Sequence, residues 1–234
     1  MAVAAAPWLG QTARAAAPVL TRLDGPRRAP TTPPARFLIV LLHGFGSDGA
    51  DLIGLAPELQ PYLPSAAFAS PNAPFRIDGG YSWASAEDRA PSRGLSAEAA
   101  SGGAVLAAFI DAELARYSLA PDRLILIGFS QGASLALNAG LRRPTPPAAV
   151  IAFAGSNIVA DGLPPGAKRP PVLLAQGKED PRVRPEGQSE ALKILEMIGA
   201  PAQGHILPGL EHGIDGREIR LAGELIRSVT QAMP

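Results

Sequence analysis

Ser130 stands in the string Gly128-Phe129-Ser130-Gln131-Gly132, which follows the apolar run RLILI and opens the helical pattern QGASLALNAGLRR. A serine between a strand and a helix, with glycine two positions away on either side, is a nucleophile elbow. Its tight turn strains the serine backbone and pushes the hydroxyl outward, and a side chain at either glycine would collide with strand or helix. As a bare string, G-x-S-x-G turns up by chance in about one chain in ten of this length. Its position after a strand and before a helix is what ties it to acyl transfer.

A serine hydroxyl is a poor nucleophile at neutral pH, so a base must take its proton and a third group must orient the base. The chain has three histidines. His205 falls inside the apolar run QGHIL, where a structural role is expected, and His43 belongs to a separate motif. His212, in GLEHGID, lies in a glycine-flanked loop just past that run and is the candidate base. For the orienting acid, Asp180 follows the strand-like PVLLAQG within the short segment QGKEDPRV. This puts it at the C-terminal strand end, where ligands of α/β sheets collect. Glu179 is its rival, and Asp161 sits in a long loop with no other support. The order Ser130, Asp180, His212 is that of the α/β-hydrolases rather than of the chymotrypsin or subtilisin arrangements.

His43-Gly44-Phe45-Gly46 ends the apolar run FLIVLL. The loop there supplies one backbone N–H to an oxyanion hole and the residue after the nucleophile supplies the other, so Phe45 and Gln131 are the expected donors. The same segment reads Gly44-Phe45-Gly46-Ser47-Asp48-Gly49, a literal G-x-G-x-x-G dinucleotide fingerprint. Such a site needs an acidic residue roughly 20 positions on to hold the ribose. The chain has AAFASPNAP there, without a carboxylate, so a nicotinamide-dinucleotide enzyme is only the different-class alternative, beside a non-catalytic ligand-binding relative.

These residues need a scaffold that gathers strand ends. From Arg36 onward, the runs FLIVLL, AAFAS, RLILIG, AAVIAFAG, PVLLAQG and QGHIL alternate with segments of helical period, which predicts a mostly parallel sheet covered by helices. All but the last are continuously apolar, as strands buried on both faces must be. The intervening helices are expected at DLIGLAPEL, at SAEAASGGAVLAAFIDAELARY with Ser96 as N-cap, at QGASLALNAGLRR, at EGQSEALKILEMIG and at EIRLAGELIRSVTQAM. PNAPFRIDGGYSWASAEDRAPSRGL and GSNIVADGLPPGAKRPP are too long and too rich in turn residues to be simple connections, and are expected at the rim of a site.

With 234 residues, 47 % of them hydrophobic and 18 % charged, the chain is long enough for one substantial core. Residues 1–35 are expected to be a loosely ordered Ala/Pro-rich leader and residues 36–234 the folded domain. Pro7, Gly10 and Gln11 interrupt the first apolar stretch and no basic residue precedes Arg14, which argues against a signal peptide and for a cytoplasmic protein. Twenty-one basic residues balance 21 acidic ones, so there is no net positive field to collect nucleic acid. No apolar run approaches the ~18 to 20 residues of a membrane span. The absence of cysteine removes disulfides, thiolate metal sites and a cysteine nucleophile. No metal or organic cofactor is expected, and the partner is expected to be a small ester. A homodimer through an apolar rim is compatible with the sequence, although no segment identifies such a patch.

Beyond these residues, LLHGFGSDGADLIGLAPEL, SPNAP, Trp83, LIGFSQGASLAL, QGKEDPRVRP and GLEHGID occur in the order found in the phospholipase/carboxylesterase family of α/β-hydrolases, the group of acyl-protein thioesterases and small bacterial carboxylesterases. The resemblance runs from about Arg36 to near the C-terminus. It implies Ser130, Asp180 and His212 as the triad and Phe45 and Gln131 as oxyanion donors. It also implies Trp83 beside the acyl cleft; His43 and Gly44 are likewise expected among the substrate-binding residues. The chain departs from the family pattern at Ala84, where a bulky aromatic is common, at Gln176, where histidine is common, and at Glu211, where glycine is common.

The expected activity is hydrolysis of short- to medium-chain carboxylic esters, with lysophospholipids or acyl-protein thioesters as the nearest alternatives. The segment after AAVIAFAG is too short for a helical lid, so an open cleft without a cap domain is expected.

Overall fold

The computed structural model describes residues 22–90, 92, 100–163 and 166–233. Among them a seven-stranded sheet runs in the order β1-β3-β2-β6-β7-β8-β9. Its strands are β1 (Arg27–Arg28), β2 (Phe37–Leu42), β3 (Ala66–Ala69), β6 (Leu124–Phe129), β7 (Ala149–Phe153), β8 (Val172–Gly177) and β9 (Ala202–Leu207). All pairings are parallel except that of β1 with β3. A separate antiparallel hairpin joins β4 (Phe75–Ile77) to β5 (Gly80–Ser82).

Because side chains alternate across a strand, each apolar run feeds two cores. Leu38, Val40, Leu124, Leu126, Val150 and Leu174 face the helices α3 (Gly103–Arg116), α4 (Gln131–Arg142) and α5 (Glu186–Met197). Their neighbours Ile39, Leu41, Ile125, Ile127, Ile151 and Leu173 face the other side. There they meet the short helices α1 (Gly49–Leu52) and α2 (Ala56–Leu59) and the long α6 (Gly216–Gln231). A sheet covered on both faces explains why the strands read as unbroken apolar runs. The exception is β9, whose mixture of partly buried and exposed residues belongs to its place at the sheet edge.

The expected strands and the last three expected helices form close to their expected limits, the helix expected at SAEAASGGAVLAAFIDAELARY is Gly103–Arg116, and the domain has no cap over the strand ends among the described residues. Three differences have physical reasons. Residues 22–35, expected within a loose leader, are partly in the fold: Leu23 is buried and Arg27–Arg28 pairs with Phe68 and Ala69. Arg27 also meets Glu113 of α3 through two hydrogen bonds of 3.0 and 2.8 Å, a tertiary pairing that composition does not reveal. DLIGLAPEL is not one helix but a series of short turns, α1 and α2 interleaved with 3₁₀ segments. The stretch after SPNAP, expected only as a turn-rich segment at the rim of a site, contains a regular element, the β4–β5 hairpin turning at Gly79 and Gly80, whose φ values are +85° and +159°. Ser96, the expected N-cap, lies outside the described residues.

Candidate active site

Ser130 takes φ 55° and ψ −115°, a backbone conformation that L residues avoid, between the last residue of β6 and the first of α4. The two glycines of the elbow permit it. A Cβ on Gly128 would lie 2.2 Å from the Gly132 carbonyl oxygen, and one on Gly132 would lie 2.1 Å from that of Leu42. The Ser130 N–H is held by the Phe153 carbonyl at 2.9 Å, so the strain is balanced by tight packing and an anchored backbone.

The C-terminal ends of β8 and β9 bring the other two groups to the same edge. Asp180 follows β8 and fixes its own loop by accepting the Arg182 and Val183 amides at 2.8 and 2.9 Å. Gln176, a departure from the family pattern, is buried and donates its side-chain amide to the Val183 carbonyl, bracing the same turn. His212 follows β9. Its Nδ1 is 2.7 Å from Asp180 Oδ2 and its Nε2 is 3.1 Å from Ser130 Oγ. Since a carboxylate only accepts, these partners assign the proton to Nδ1 and leave Nε2 to accept from the serine hydroxyl. The Phe129 ring packs on the imidazole at 4.9 Å between centroids. Burial opposes ionisation of Asp180, but hydrogen bonds from His212 and from the Val183 and Arg182 amides outweigh it and hold the carboxyl below its usual range. The result is a charged carboxylate oriented on a neutral imidazole, in turn oriented on a hydroxyl: an arrangement suited to general-base activation of an oxygen nucleophile.

The competing residues have other duties. His205 lies on β9 opposite Ala175, and its carbonyl accepts the Gln188 amide. Glu179 accepts the Gly209 N–H at 2.7 Å and steadies the loop that carries His212. Asp161 is exposed, and its carbonyl accepts from Arg142. Glu211 is exposed at the surface and takes no part in the hydrogen bonds of His212.

The loop after β2 approaches the elbow closely: a Cβ on Gly44 would stand 3.4 Å from that of Ser130. The next residue, Phe45, is half exposed, and the Arg89 guanidinium lies 4.6 Å over its ring. The β4–β5 hairpin clamps this loop, with Gly46 N–H donating to Tyr81 O and Tyr81 N–H to Ser47 O, both at 2.9 Å.

Trp83 and His43, expected beside the cleft as substrate-binding residues, are shut off from solvent in the described structure. They are 1 % and 0 % exposed, and they work as supports. The Trp83 indole donates to the His43 carbonyl at 2.8 Å. The imidazole of His43 contacts the Gly44 carbonyl through Nδ1 at 2.8 Å and accepts the Ala73 amide at Nε2, and its burial pushes it below the ordinary histidine range. Ala84 is buried as well. The Gln131 side chain accepts the Trp83 backbone N–H at 2.9 Å and so ties the elbow to this support.

The G-x-G-x-x-G reading fails on the same geometry. The Gly49 amide at the start of α1 is taken by the Asn72 side chain at 2.8 Å and the Asp51 amide by Asp48 at 2.9 Å, so side chains occupy the donors a pyrophosphate would need. Among the described residues no group of three or more His, Asp or Glu could hold a metal, and no helix is long and apolar enough to cross a membrane. A hollow of about 660 Å³ between α3 and α4, lined by Ile110, Leu114, Leu119, Ala139 and Arg142, contains none of the triad residues.

Sequence reasoning passed over Arg217 and Glu218. Arg217 donates to the Pro208 carbonyl at 2.7 Å and to Asp215 at 2.7 and 2.9 Å, closing the two ends of the His212 loop on each other. The signal was present in Asp215-Gly-Arg-Glu218, a capping-box pattern at the start of α6.

Comparison with known proteins agrees with this geometry. The phospholipase/carboxylesterase family pattern matches residues 28–230. The chain is 31 % identical to acyl-protein thioesterase 1 of Kluyveromyces lactis over 193 residues, covering 74 % of this chain and 82 % of that one. It is 28 % identical to the carboxylesterase SOBER1 of Arabidopsis thaliana, covering 80 % and 87 % of the two chains. Among solved structures, esterase PE8 superposes with a TM-score of 0.81 at 37 % identity, over 89 % of this chain and 99 % of that one. The chain belongs to the phospholipase/carboxylesterase family and is a serine hydrolase of the α/β-hydrolase fold.

Proposed function

We propose that this chain is a carboxylesterase that cleaves short- to medium-chain esters through an acyl-enzyme on Ser130. The observation that carries the reading is the continuous hydrogen-bond path from Asp180 through His212 to Ser130. His212 Nε2 takes the Ser130 proton as Oγ attacks the ester carbonyl. Asp180 stabilises the imidazolium that forms, and the Phe45 and Gln131 backbone N–H groups receive the oxyanion. The imidazolium then protonates the departing alkoxide, and the alcohol leaves. Water, deprotonated by the same imidazole, attacks the acyl carbon, and the serine recovers its proton as the acid is released.

Two features support the Phe45 and Gln131 assignment: the close approach of Gly44 to Ser130, and the buried Trp83–His43 pair behind the loop. An uncapped strand edge favours soluble or monomeric esters over lipid aggregates. All three triad side chains come from one chain, so the proposed chemistry does not depend on a homodimer.

A second reading, thioester cleavage, is favoured by the likeness to an acyl-protein thioesterase. A panel of matched oxygen esters and thioesters of increasing acyl length separates the two. The carboxylesterase reading expects higher kcat/KM for oxygen esters with an optimum at short to medium acyl chains. Preference for thioesters, or an optimum at long chains, overturns it. Labelling by a fluorophosphonate probe, lost in Ser130→Ala, tests the nucleophile independently of substrate.

A further inference from the structure

Glu218 is a carboxyl that the acyl-transfer chemistry does not use. Its residue is 0 % exposed, and its Oε1 has no hydrogen-bond partner among the described residues. Its other oxygen, Oε2, accepts the Asp215 N–H at 3.3 Å, completing the capping box in which Asp215 accepts from the start of α6. Burying a carboxyl with one bare oxygen is unfavourable, and an apolar side chain would fill the space without that penalty. A capping box at the surface, where water satisfies the second oxygen, gives the same helix start without it. The placement therefore calls for a role beyond capping.

The capping box joins Glu218 to the far end of the His212 loop. Asp215 stands three residues after His212, and its backbone N–H is the group that Glu218 holds. Arg217 pins the near end at Pro208, and Glu179 pins Gly209. The imidazole thus hangs on a loop with hydrogen-bonded anchors at both ends, one of them a buried titratable group. The ionisable groups that face Glu218 are Asp215 at the cap, Arg217 on α6 and Asp180 on the loop after β8. Asp180 in turn contacts His212 directly.

We propose that Glu218 is a positioning residue for His212, and that its buried carboxyl must be ionised both to hold the Asp215 N–H firmly and to favour the imidazolium formed during acyl transfer. A carboxylate is a stronger acceptor than a neutral carboxyl, so protonation loosens the anchor. A negative charge beside the Asp180–His212 pair would favour the protonated imidazole, and its loss would weaken the base. Burial lifts the Glu218 carboxyl from the ordinary 4.5 to about 7, which brings this change into the range where histidine bases titrate. The catalytically competent form then has both Glu218 and His212 deprotonated.

This inference rests on the esterase reading, and the test separates the two. In the full chain, Glu218→Gln keeps the shape and the acceptor but not the charge, whereas Glu218→Ala removes both. Both are compared with the parent for kcat and KM on a soluble short-chain ester between about pH 5 and 9. The parent is expected to lose kcat/KM on the acid side more steeply than tenfold per pH unit, because two protons must leave. Glu218→Gln is expected to show a one-proton slope with its midpoint at lower pH, a kcat about 3- to 10-fold down at alkaline pH, and KM within about twofold. Glu218→Ala is expected to lose more kcat and to melt earlier. A purely structural Glu218 would lower the melting temperature of Glu218→Ala but leave the acid limb of Glu218→Gln superimposed on that of the parent, and that superposition overturns the proposal. Fluorophosphonate labelling of all three proteins reports the nucleophile. If none is labelled, the esterase reading has failed, whereas labelled proteins with identical pH profiles show that only the role of Glu218 has.

Discussion

The indole N–H of Trp83 donates to the carbonyl oxygen of His43 at 2.8 Å, with both side chains shut off from solvent. This one bond joins the loop after the β4–β5 hairpin to the loop after β2, where Gly44 approaches Ser130. If the Phe45 amide serves as an oxyanion donor, its loop is braced from behind by this buried pair.

Trp83→Phe keeps a buried aromatic ring but leaves the His43 carbonyl without its donor. The expected loss is about 1 to 3 kcal/mol of stability, from an unsatisfied buried carbonyl plus a small cavity. Because the loop beside Ser130 loosens, kcat should fall more than KM rises. Urea denaturation with steady-state kinetics on the same preparations checks both. A stable variant with unchanged kcat would show that the loop holds itself.

Ser130 occupies a left-handed backbone position at φ 55°. Such strain is worth about 1 to 3 kcal/mol in a non-glycine residue. Both Ser130→Ala and Ser130→Gly should abolish turnover, but Ser130→Gly should be the more stable of the two by about 1 kcal/mol, since glycine meets this conformation without a Cβ. Equal denaturation midpoints for the two variants would mean that the elbow is unstrained.

Asp180→Asn leaves the shape of the site almost intact and removes the charge that fixes the Nδ1–H tautomer of His212. In serine hydrolases an equivalent change lowers kcat by roughly 10⁴-fold. The folded-state pKa of Asp180 is depressed, so its contribution to stability is present above the ordinary carboxylate pKa and lost as pH falls through the lowered value. The difference in stability between parent and variant should therefore narrow in acid, which denaturation curves at a series of pH values measure.

Glu218 predicts the opposite slope. Its folded pKa of about 7 lies above the ordinary 4.5, so the folded chain binds this proton more tightly than the unfolded chain does. Its contribution is complete below the unfolded value and is lost as pH rises toward 7. The parent should lose roughly 1 to 3 kcal/mol across that window relative to Glu218→Gln, as judged from denaturation midpoints at each pH.

The chemistry of this protein was legible in its sequence because it is written in local patterns. A nucleophile elbow is a strand, a strained residue between glycines and a helix, all within about twenty residues. Unbroken apolar runs mark strands covered on both faces, and the loops after them mark the edge where Asp180 and His212 converge. The capping box of Asp215 and Glu218 was equally local, though its burial was not. The tertiary structure alone decided that Arg27 closes onto Glu113, that the Trp83 indole and the His43 carbonyl bond to each other out of reach of water, and that the donors at the start of α1 are filled by Asn72 and Asp48. Each of these depends on how far a side chain is removed from water and which distant group it then meets. Residue type and spacing fix what a side chain can do, and packing fixes which of those things remains open to it.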